Sequence, residues 1–90
     1  MKFAWDSEKD RKNQAKHGVS FEEASNVFGD PLAFTAVDPR HFGEFRYVTM
    51  GFTLGGTLIA VVHTEQSDRI RIISARQATA RERNAYETRR

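Results

Sequence analysis

The chain has 90 residues, with 14 Lys and Arg against 12 Asp and Glu and a formal net charge of +2 at pH 7. Its hydrophobic fraction of 39% is too high for a disordered chain and supports one modest core, so we expect a single domain over residues 1–90. It has no cysteine, which excludes disulfides and thiolate metal sites. The N-terminus lacks the apolar segment of a signal peptide, and the longest apolar run, residues 58–62, is too short for a membrane span. A cytoplasmic protein without membrane contact is expected.

The first third of the chain has the pattern of a strand followed by two helices. Phe3 and Trp5 alternate with polar or small neighbours, which predicts a strand over residues 2–5. Asp6 or Ser7 then caps a helix that reaches about Lys16 and ends at His17-Gly18. Ser20 and Glu23 form a capping box that opens a second helix. The apolar face of this helix consists of Phe21, Ala24, Val27 and Phe28, and Gly29-Asp30-Pro31 ends it.

The remainder of the chain has the pattern of four strands and a final helix. Alternation and turn signals place these strands at about residues 32–36, 45–50, 58–62 and 69–75, with a turn at Asp38-Pro39 and a tight hairpin at Gly55-Gly56. A second capping box, Thr79 with Glu82, opens a C-terminal helix that docks through Tyr86. The prediction is an α+β fold: an N-terminal strand and two helices, an antiparallel four-stranded meander, and a C-terminal helix.

Basic residues are concentrated at the two ends of the chain, and acidic residues lie mainly between them. The basic residues are Lys9, Arg11, Lys12 and Lys16 at one end and Arg69, Arg71, Arg76, Arg81, Arg83, Arg89 and Arg90 at the other. If the two groups meet in the fold, they form one surface for a polyanion; solvated helix faces are the alternative. Lys9, Asn13 and Lys16 recur at about one helical turn, which favours a solvated stripe.

The sequence predicts no metal site and no phosphate-binding loop, because His17, His41 and His63 are scattered and no glycine cluster precedes a helix. One polar group of residues remains, on two successive strands. A period of two places His63 and Glu65 on one face of the first strand. In the second strand it places Arg69 and Arg71 on one face, and Arg76 with Ile70 and Ile72 on the other.

Such a group has the parts that phosphodiester cleavage requires. A base takes the proton of a ribose 2′-hydroxyl, cations stabilise the charge on phosphorus, and an acid protonates the leaving oxygen. Each residue also has a structural interpretation. His63 is then a hydrogen-bonded histidine of the sheet, and Glu65 forms a cross-strand ion pair with Arg69 or Arg71. Arg76 emerges at the sheet edge or pairs with a carboxylate.

Two sequence blocks carry a resemblance to a known family. They are the run KHGVSF at residues 16–21 and the run IRIISAR at residues 70–76. Other matching positions, in the same order, are Phe3-Ala4-Trp5-Asp6, Lys9, Asn13, Ala24, Val27-Phe28-Gly29-Asp30-Pro31, Glu44, Arg46, Gly51, Ala78, Glu82 and Tyr86. Together they resemble the BrnT toxins of bacterial type II toxin–antitoxin systems, over nearly the whole chain.

The resemblance implies a RelE-like fold of the microbial ribonuclease group. It implies an endoribonuclease that needs no metal or cofactor, inhibits translation and leaves 2′,3′-cyclic phosphate ends on its RNA substrate. The implied partner is a BrnA-like antitoxin with a ribbon-helix-helix part. The pair is expected to bind its own promoter DNA, with the antitoxin making the DNA contacts.

The resemblance also implies site residues. Glu65, Arg71 and Arg76 are the active-site candidates, with His63 and Arg69 behind them. The RNA-binding candidates are Lys9, Lys16 and His17, although His17 beside Gly18 also suits the C-terminal end of a helix dipole.

One position departs from the family pattern. Gln66 stands where members of the family often have a basic residue. The alternative is therefore a catalytically weak or inactive module that acts through its antitoxin in transcriptional autoregulation. Direct DNA binding by this chain alone is disfavoured by its small net charge and by the lack of a recognition helix.

Overall fold

A computed structural model describes residues 1–38 and 45–88 and has an α+β architecture. The elements in chain order are β1 (Lys2–Ala4), α1 (Ser7–His17), α2 (Phe21–Ser25), a 3₁₀ helix (Asn26–Gly29), β2 (Phe34–Asp38), β3 (Arg46–Phe52), β4 (Leu58–Gln66), β5 (Arg69–Gln77) and α3 (Ala80–Thr88). The α+β class predicted from the sequence is confirmed. Pro39, His41, Glu44, Arg89 and Arg90 lie outside the described residues.

The described strands form one mixed sheet in the order β1-β5-β4-β3-β2. From β2 to β5, each strand pairs antiparallel with the next one along the chain. The sequence-based expectation kept the N-terminal strand outside this four-stranded sheet, whereas β1 pairs parallel with β5. The backbone groups of β1 need partners, and the outer edge of β5 supplies them.

Local capping signals set the helix ends. The Asp6 carboxylate accepts hydrogen bonds from the backbone N–H groups of Glu8 and Lys9, and α1 ends at Gly18 with φ of 71°. Only glycine adopts that left-handed conformation without strain. The Ser20 hydroxyl accepts from the N–H of Glu23 at 3.0 Å, as the first capping box predicts. The second helix is shorter than expected, because α2 ends at Ser25 and the chain continues as the 3₁₀ helix.

The main core lies between α1, α2 and one face of the sheet. Its buried members are Val19, Phe21, Ala24, Val27, Ile59, Val61, Ile72 and Ala75. We call the sheet face that carries Ile59 and Val61 the core face. The opposite face, which carries Ala60 and Arg76, we call the arginine face. Leu58 to Val61 are buried on both faces of this central strand, as its continuous apolar run predicts.

Helix α3 packs against the arginine face through Tyr86. The Tyr86 ring lies 5.4 Å from the ring of Phe52 and 6.3 Å from the ring of Phe34, measured between centroids. Its hydroxyl donates a hydrogen bond to the Asp30 carboxylate at 2.7 Å. The docking residue predicted from the sequence is therefore confirmed, and it holds α3 beside β5 and Arg76.

Candidate functional site

A β-bulge in β5 determines which side chains share a face. Val62 pairs with Ser74, but His63 pairs with Ile72, so Ile73 is an extra residue in β5. The alternation of side chains therefore reverses at Ile73. Residues that pair across an antiparallel ladder project to the same face.

The bulge corrects the period-two prediction for β5. Arg69, Arg71, Ser74 and Arg76 all pair with residues on the arginine face of β4. Ile70 and Ile72 are on the core face together with Ala75. The expectation that Arg76 shares a face with Ile70 and Ile72 is wrong, and three arginines of β5 line one surface instead.

The three arginines differ in their surroundings. Arg69 is exposed, and its Nε lies 3.5 Å from the Asp68 carboxylate. Arg71 is half-buried near the centre of the row. Arg76 has 34% of its side chain exposed, and its guanidinium forms an ion pair with Glu82 of α3. The sequence predicted that Arg76 either emerges at the sheet edge or pairs with a carboxylate. The structure shows the pairing with a carboxylate.

The ion pair between Arg76 and Glu82 is bidentate. Arg76 Nη1 donates to Glu82 Oε1 at 2.6 Å, and Nη2 donates to Oε2 at 2.8 Å. Hydrogen bonding to Glu82 raises the pKa of Arg76, and hydrogen bonding to Arg76 lowers the pKa of Glu82 to about 2. Both groups are therefore charged throughout the neutral range. Sequence reasoning recognised Glu82 only as part of a capping box, although the need of Arg76 for a carboxylate was a signal for this second role.

Lys9, Lys12 and Lys16 form the basic strip of α1, which borders the arginine face. A cleft of about 290 Å³ between α1 and β5 is lined by Lys9, Lys12, Asn13, Lys16, His17, Ile73 and Ser74. Ser74 lies on the arginine face between Arg71 and Arg76. The α1 lysines therefore adjoin the arginine face at Ser74, although none of the β5 arginines lines this cleft. We call Arg71, Ser74 and Arg76 with Lys9, Lys16 and His17 the basic surface.

Asn13 has a structural role that the stripe pattern did not predict. It is only 7% exposed, although it lies between exposed lysines of α1. Its side-chain N–H₂ group donates to the carbonyls of Val19 and Ala75, both at 2.8 Å, and its Oδ1 accepts from the N–H of Ala75 at 3.1 Å. The expectation that Asn13 belongs to a solvated stripe is therefore wrong. The sequence did contain a signal for this structural role, because Asn13 is one of the positions that match the family pattern.

His63 is part of the core face and is 0% exposed. Its ring lies between those of Phe28 and Tyr47, at centroid distances of 5.0 and 5.8 Å. Nε2 is hydrogen-bonded to the Thr49 hydroxyl at 2.7 Å, and Nδ1 has no partner among the described residues. Burial lowers the pKa of His63 to about 4. The geometry matches the structural interpretation of a sheet histidine, and the site on the arginine face lies on the other side of the sheet.

Glu65 is also separated from the arginines. It is exposed near the end of β4 and pairs with Ile70, which places it on the core-face side of the ladder. Within residues 1–38 and 45–88, no ion pair joins Glu65 to Arg69 or Arg71. The structure places Arg71 and Arg76 on one face of β5 and Lys9, Lys16 and His17 along the adjoining cleft, and it does not place Glu65 or His63 on that face.

An apolar groove lies on the arginine face beside the Arg76–Glu82 pair. Its volume is about 400 Å³, and its lining residues are Phe34, Ala36, Val37, Asp38, Val48, Met50, Arg76 and Glu82. No helix in the described part of the chain has the length and apolar character that crossing a bilayer requires. Among the same residues, no three His, Asp or Glu side chains gather in a way that would hold a metal ion.

Comparisons with known proteins agree with this architecture. Residues 5–82 match the family model described as the ribonuclease toxin BrnT of type II toxin–antitoxin systems. The crystal structure of the Brucella abortus ribonuclease toxin BrnT is similar, with a TM-score of 0.65 and 28% sequence identity. That match covers 88% of this chain and 97% of the Brucella chain. No curated protein matches the sequence.

Proposed function

From the premise that this chain belongs to the BrnT family of ribonuclease toxins of type II toxin–antitoxin systems, we propose that it is an endoribonuclease that inhibits translation by cleaving RNA. The observation that carries this proposal is the basic surface. It combines two β5 arginines with the lysines and histidine at the edge of α1. Phosphate groups of RNA are the ligands that such a surface attracts.

The basic surface divides into two parts with different chemistry. Lys9 and Lys16 are exposed on α1, where flexible ammonium groups follow a phosphate backbone without fixing its geometry. Arg71 and Arg76 are partly buried on β5, and a guanidinium held by its surroundings binds phosphate oxygens in a defined orientation. We therefore assign RNA binding to the lysines and stabilisation of the reacting phosphate to the arginines.

The proposed reaction is an attack of the ribose 2′-hydroxyl on the adjacent phosphorus. The 2′-hydroxyl gives its proton to the general base, and the 2′-oxygen forms a bond to phosphorus while the bond from phosphorus to the 5′-oxygen breaks. The leaving 5′-oxygen takes a proton from the protonated base through solvent water, so the products are a 2′,3′-cyclic phosphate and a 5′-hydroxyl. Arg71 and Arg76 stabilise the negative charge that develops on the phosphate oxygens. No metal ion or cofactor takes part in this scheme.

For the general base we propose His17. It lines the cleft together with Ser74, and histidine is the side chain that most often acts as a general base in enzymes. His63 is enclosed on the core face, so we assign it to the fold. Glu65 and Arg69 are exposed where β4 and β5 meet at their hairpin turn, and Glu65→Ala in the growth experiment tests whether the site extends to that turn.

We further propose that this domain, over residues 1–90, has a RelE-like fold. Helices α1 and α2 on one face of a sheet with four successive antiparallel strands support that relationship. A type II toxin has an antitoxin partner, and the resemblance points to a BrnA-like protein with a ribbon-helix-helix part. In this scheme the antitoxin makes the contacts to promoter DNA.

A second candidate function follows from Gln66. This residue is exposed at the end of β4, opposite Arg69, and it replaces the basic residue that the family often has there. Loss of that positive charge favours a module with weak catalysis that acts through its antitoxin. The two functions differ in whether the isolated chain cleaves RNA.

The test is RNA cleavage by the purified, antitoxin-free chain in the presence of EDTA. We expect cleavage with 2′,3′-cyclic phosphate ends, and no cleavage where a 2′-deoxyribose replaces the ribose at the cut site. Arg71→Ala and Arg76→Ala should each reduce the rate by about 10²-fold, whereas Arg83→Ala, at an exposed position of α3, should not. Intact RNA after long incubation with folded protein would instead favour the binding module, and cleavage of the 2′-deoxy substrate would contradict the mechanism.

A further inference from the structure

The Arg76 guanidinium has two edges that can each donate two parallel hydrogen bonds, and among residues 1–38 and 45–88 only the Nη1–Nη2 edge has an acceptor. We infer that Glu82 is a positioning residue that holds the outer edge of this guanidinium, so that the Nε–Nη2 edge forms a preset, bidentate binding fork for an RNA phosphate. This inference rests on the proposed ribonuclease function, because it takes the phosphate of the substrate as the ligand. It adds a residue of α3 to the site on β5.

The hydrogen bonds of Arg76 show which edge is free. A guanidinium has five N–H groups, and an arginine can present two parallel donors from either of two edges. Glu82 accepts from Nη1 at 2.6 Å and from Nη2 at 2.8 Å, and Nη1 also points to the Gln77 carbonyl at 3.4 Å. The two remaining N–H groups are on Nε and Nη2, which lie on the same edge. No described residue accepts from them.

Glu82 is itself fixed by the capping box of α3. Its Oε1 accepts from the N–H of Thr79 at 2.9 Å, and its own N–H donates to the Thr79 hydroxyl at 3.1 Å. The other end of α3 is held by the hydrogen bond from Tyr86 to Asp30. The Glu82 carboxylate therefore has a fixed position at the start of α3. Its two hydrogen bonds hold the Arg76 guanidinium in one orientation.

The surroundings of the fork suit a nucleotide. The groove of about 400 Å³ beside Arg76 leaves space on the arginine face for a ligand larger than a single phosphate. Ser74 and Arg71 continue the polar row along β5. A phosphate bound by two parallel N–H groups has a defined orientation, whereas an unrestrained arginine must first lose its rotational freedom. Because Glu82 already restricts the rotation of the Arg76 side chain, we expect this side chain to lose little conformational entropy when RNA binds.

Three variants separate positioning from helix capping. Glu82→Gln keeps an amide oxygen for the Thr79 N–H but loses the charge and one of the two acceptors for Arg76. Thr79→Ala removes the hydroxyl cap and leaves the Arg76–Glu82 pair in place. Arg76→Lys keeps the positive charge but has no fork.

We expect the loss of positioning to change the KM for RNA and the loss of the helix cap to change the thermal stability. Glu82→Gln should raise the KM for RNA about tenfold or more, as loss of a partner that orients a ligating group does elsewhere. Thr79→Ala should lower Tm and leave KM within twofold. Arg76→Lys should raise KM as Glu82→Gln does, and the double variant should show no further increase, because both changes remove the same fork.

A second readout does not depend on cleavage. The ¹⁵N resonance of Arg76 Nε–H, identified by its loss in Arg76→Lys, should shift when a non-cleavable 2′-O-methyl oligoribonucleotide is added to the wild type. In Glu82→Gln the shift should require about tenfold more oligonucleotide. A wild type that binds in this way without cleaving RNA would defeat the proposed ribonuclease function and leave the positioning role supported. Equal binding by the wild type and Glu82→Gln, or an equal rise of KM in Thr79→Ala and Glu82→Gln, would overturn the inference.

Discussion

The side chain of Asn13 exchanges a pair of hydrogen bonds with the backbone of Ala75, 62 residues away in the sequence. This is the pattern that a neighbouring strand would provide. Strand β1 covers the outer edge of β5 only as far as Arg71, which pairs with Ala4. Beyond the bulge, the Asn13 side chain provides the hydrogen bonds to Ala75 that a neighbouring strand would otherwise provide. These bonds attach the basic strip of α1 to the strand that carries the arginines.

Asn13→Ala should be strongly destabilising for this reason. It leaves the buried N–H and C=O of Ala75 and the carbonyl of Val19 without their partner, and the expected loss is about 3 kcal/mol of unfolding free energy. Urea denaturation measures it. Gln14→Ala, at the next and exposed position of α1, is the control and should change stability by less than about 0.5 kcal/mol. Similar values for the two variants would contradict the strand-like role of Asn13.

His63 predicts a loss of stability at mildly acidic pH. Its pKa is about 4 in the folded chain and 6.5 in the unfolded chain, so the unfolded state binds more protons between these values. Stability should therefore decrease as pH falls from about 6.5 to about 4, by about 3 kcal/mol in total.

The measurement is the unfolding free energy as a function of pH for the wild type and for His63→Asn. The asparagine does not titrate, so its slope in this window should be smaller, whatever its absolute stability. Equal slopes for the two proteins would show that His63 is not the group responsible.

Gly51 lies where β3 meets the 3₁₀ helix and the segment that precedes β2. A Cβ atom there would lie 3.1 Å from Ala33 Cβ, 3.2 Å from Asp30 Oδ2 and 3.2 Å from Val27 Cβ. These contacts are too close, so Gly51→Ala should cost about 1–3 kcal/mol, measured by thermal unfolding.

Gly55→Ala is the matched control, because the nearest atom to its new Cβ, Thr53 Oγ1, is 3.8 Å away. It should leave stability unchanged or slightly raised, since alanine reduces the freedom of the unfolded chain. Equal destabilisation at both positions would contradict the importance of the close approach at Gly51.

The structural features that the sequence predicted correctly depend on signals from residues close together in the chain. The caps at Asp6, Gly18 and Ser20 depend on a few neighbouring residues, and the docking of Tyr86 depends on its being a large apolar side chain in a mostly charged helix. These signals act through backbone N–H groups that every helix end must satisfy.

The candidate site was predicted less well because it depends on non-local geometry. A single extra residue, Ile73, moves Ser74 and Arg76 to the face of Arg71, and alternation alone does not reveal such a bulge. The burial of Asn13 depends on β1 ending before Ala75, which is a property of the whole sheet. The sequence therefore supplied candidate residues for the site, but it did not predict which of them share a face of the sheet.

The central claim is that this chain is a ribonuclease toxin whose basic surface carries the activity. The most direct test is growth of a bacterial host after induced expression of the wild type, of the double variant Arg71→Ala/Arg76→Ala, of Glu65→Ala, and of Arg83→Ala as control. We expect growth arrest by the wild type, Glu65→Ala and Arg83→Ala, and normal growth with the double variant when that variant is folded and equally abundant. Normal growth with abundant, folded wild type would contradict the toxin function, and arrest by the double variant would contradict the site on the arginine face.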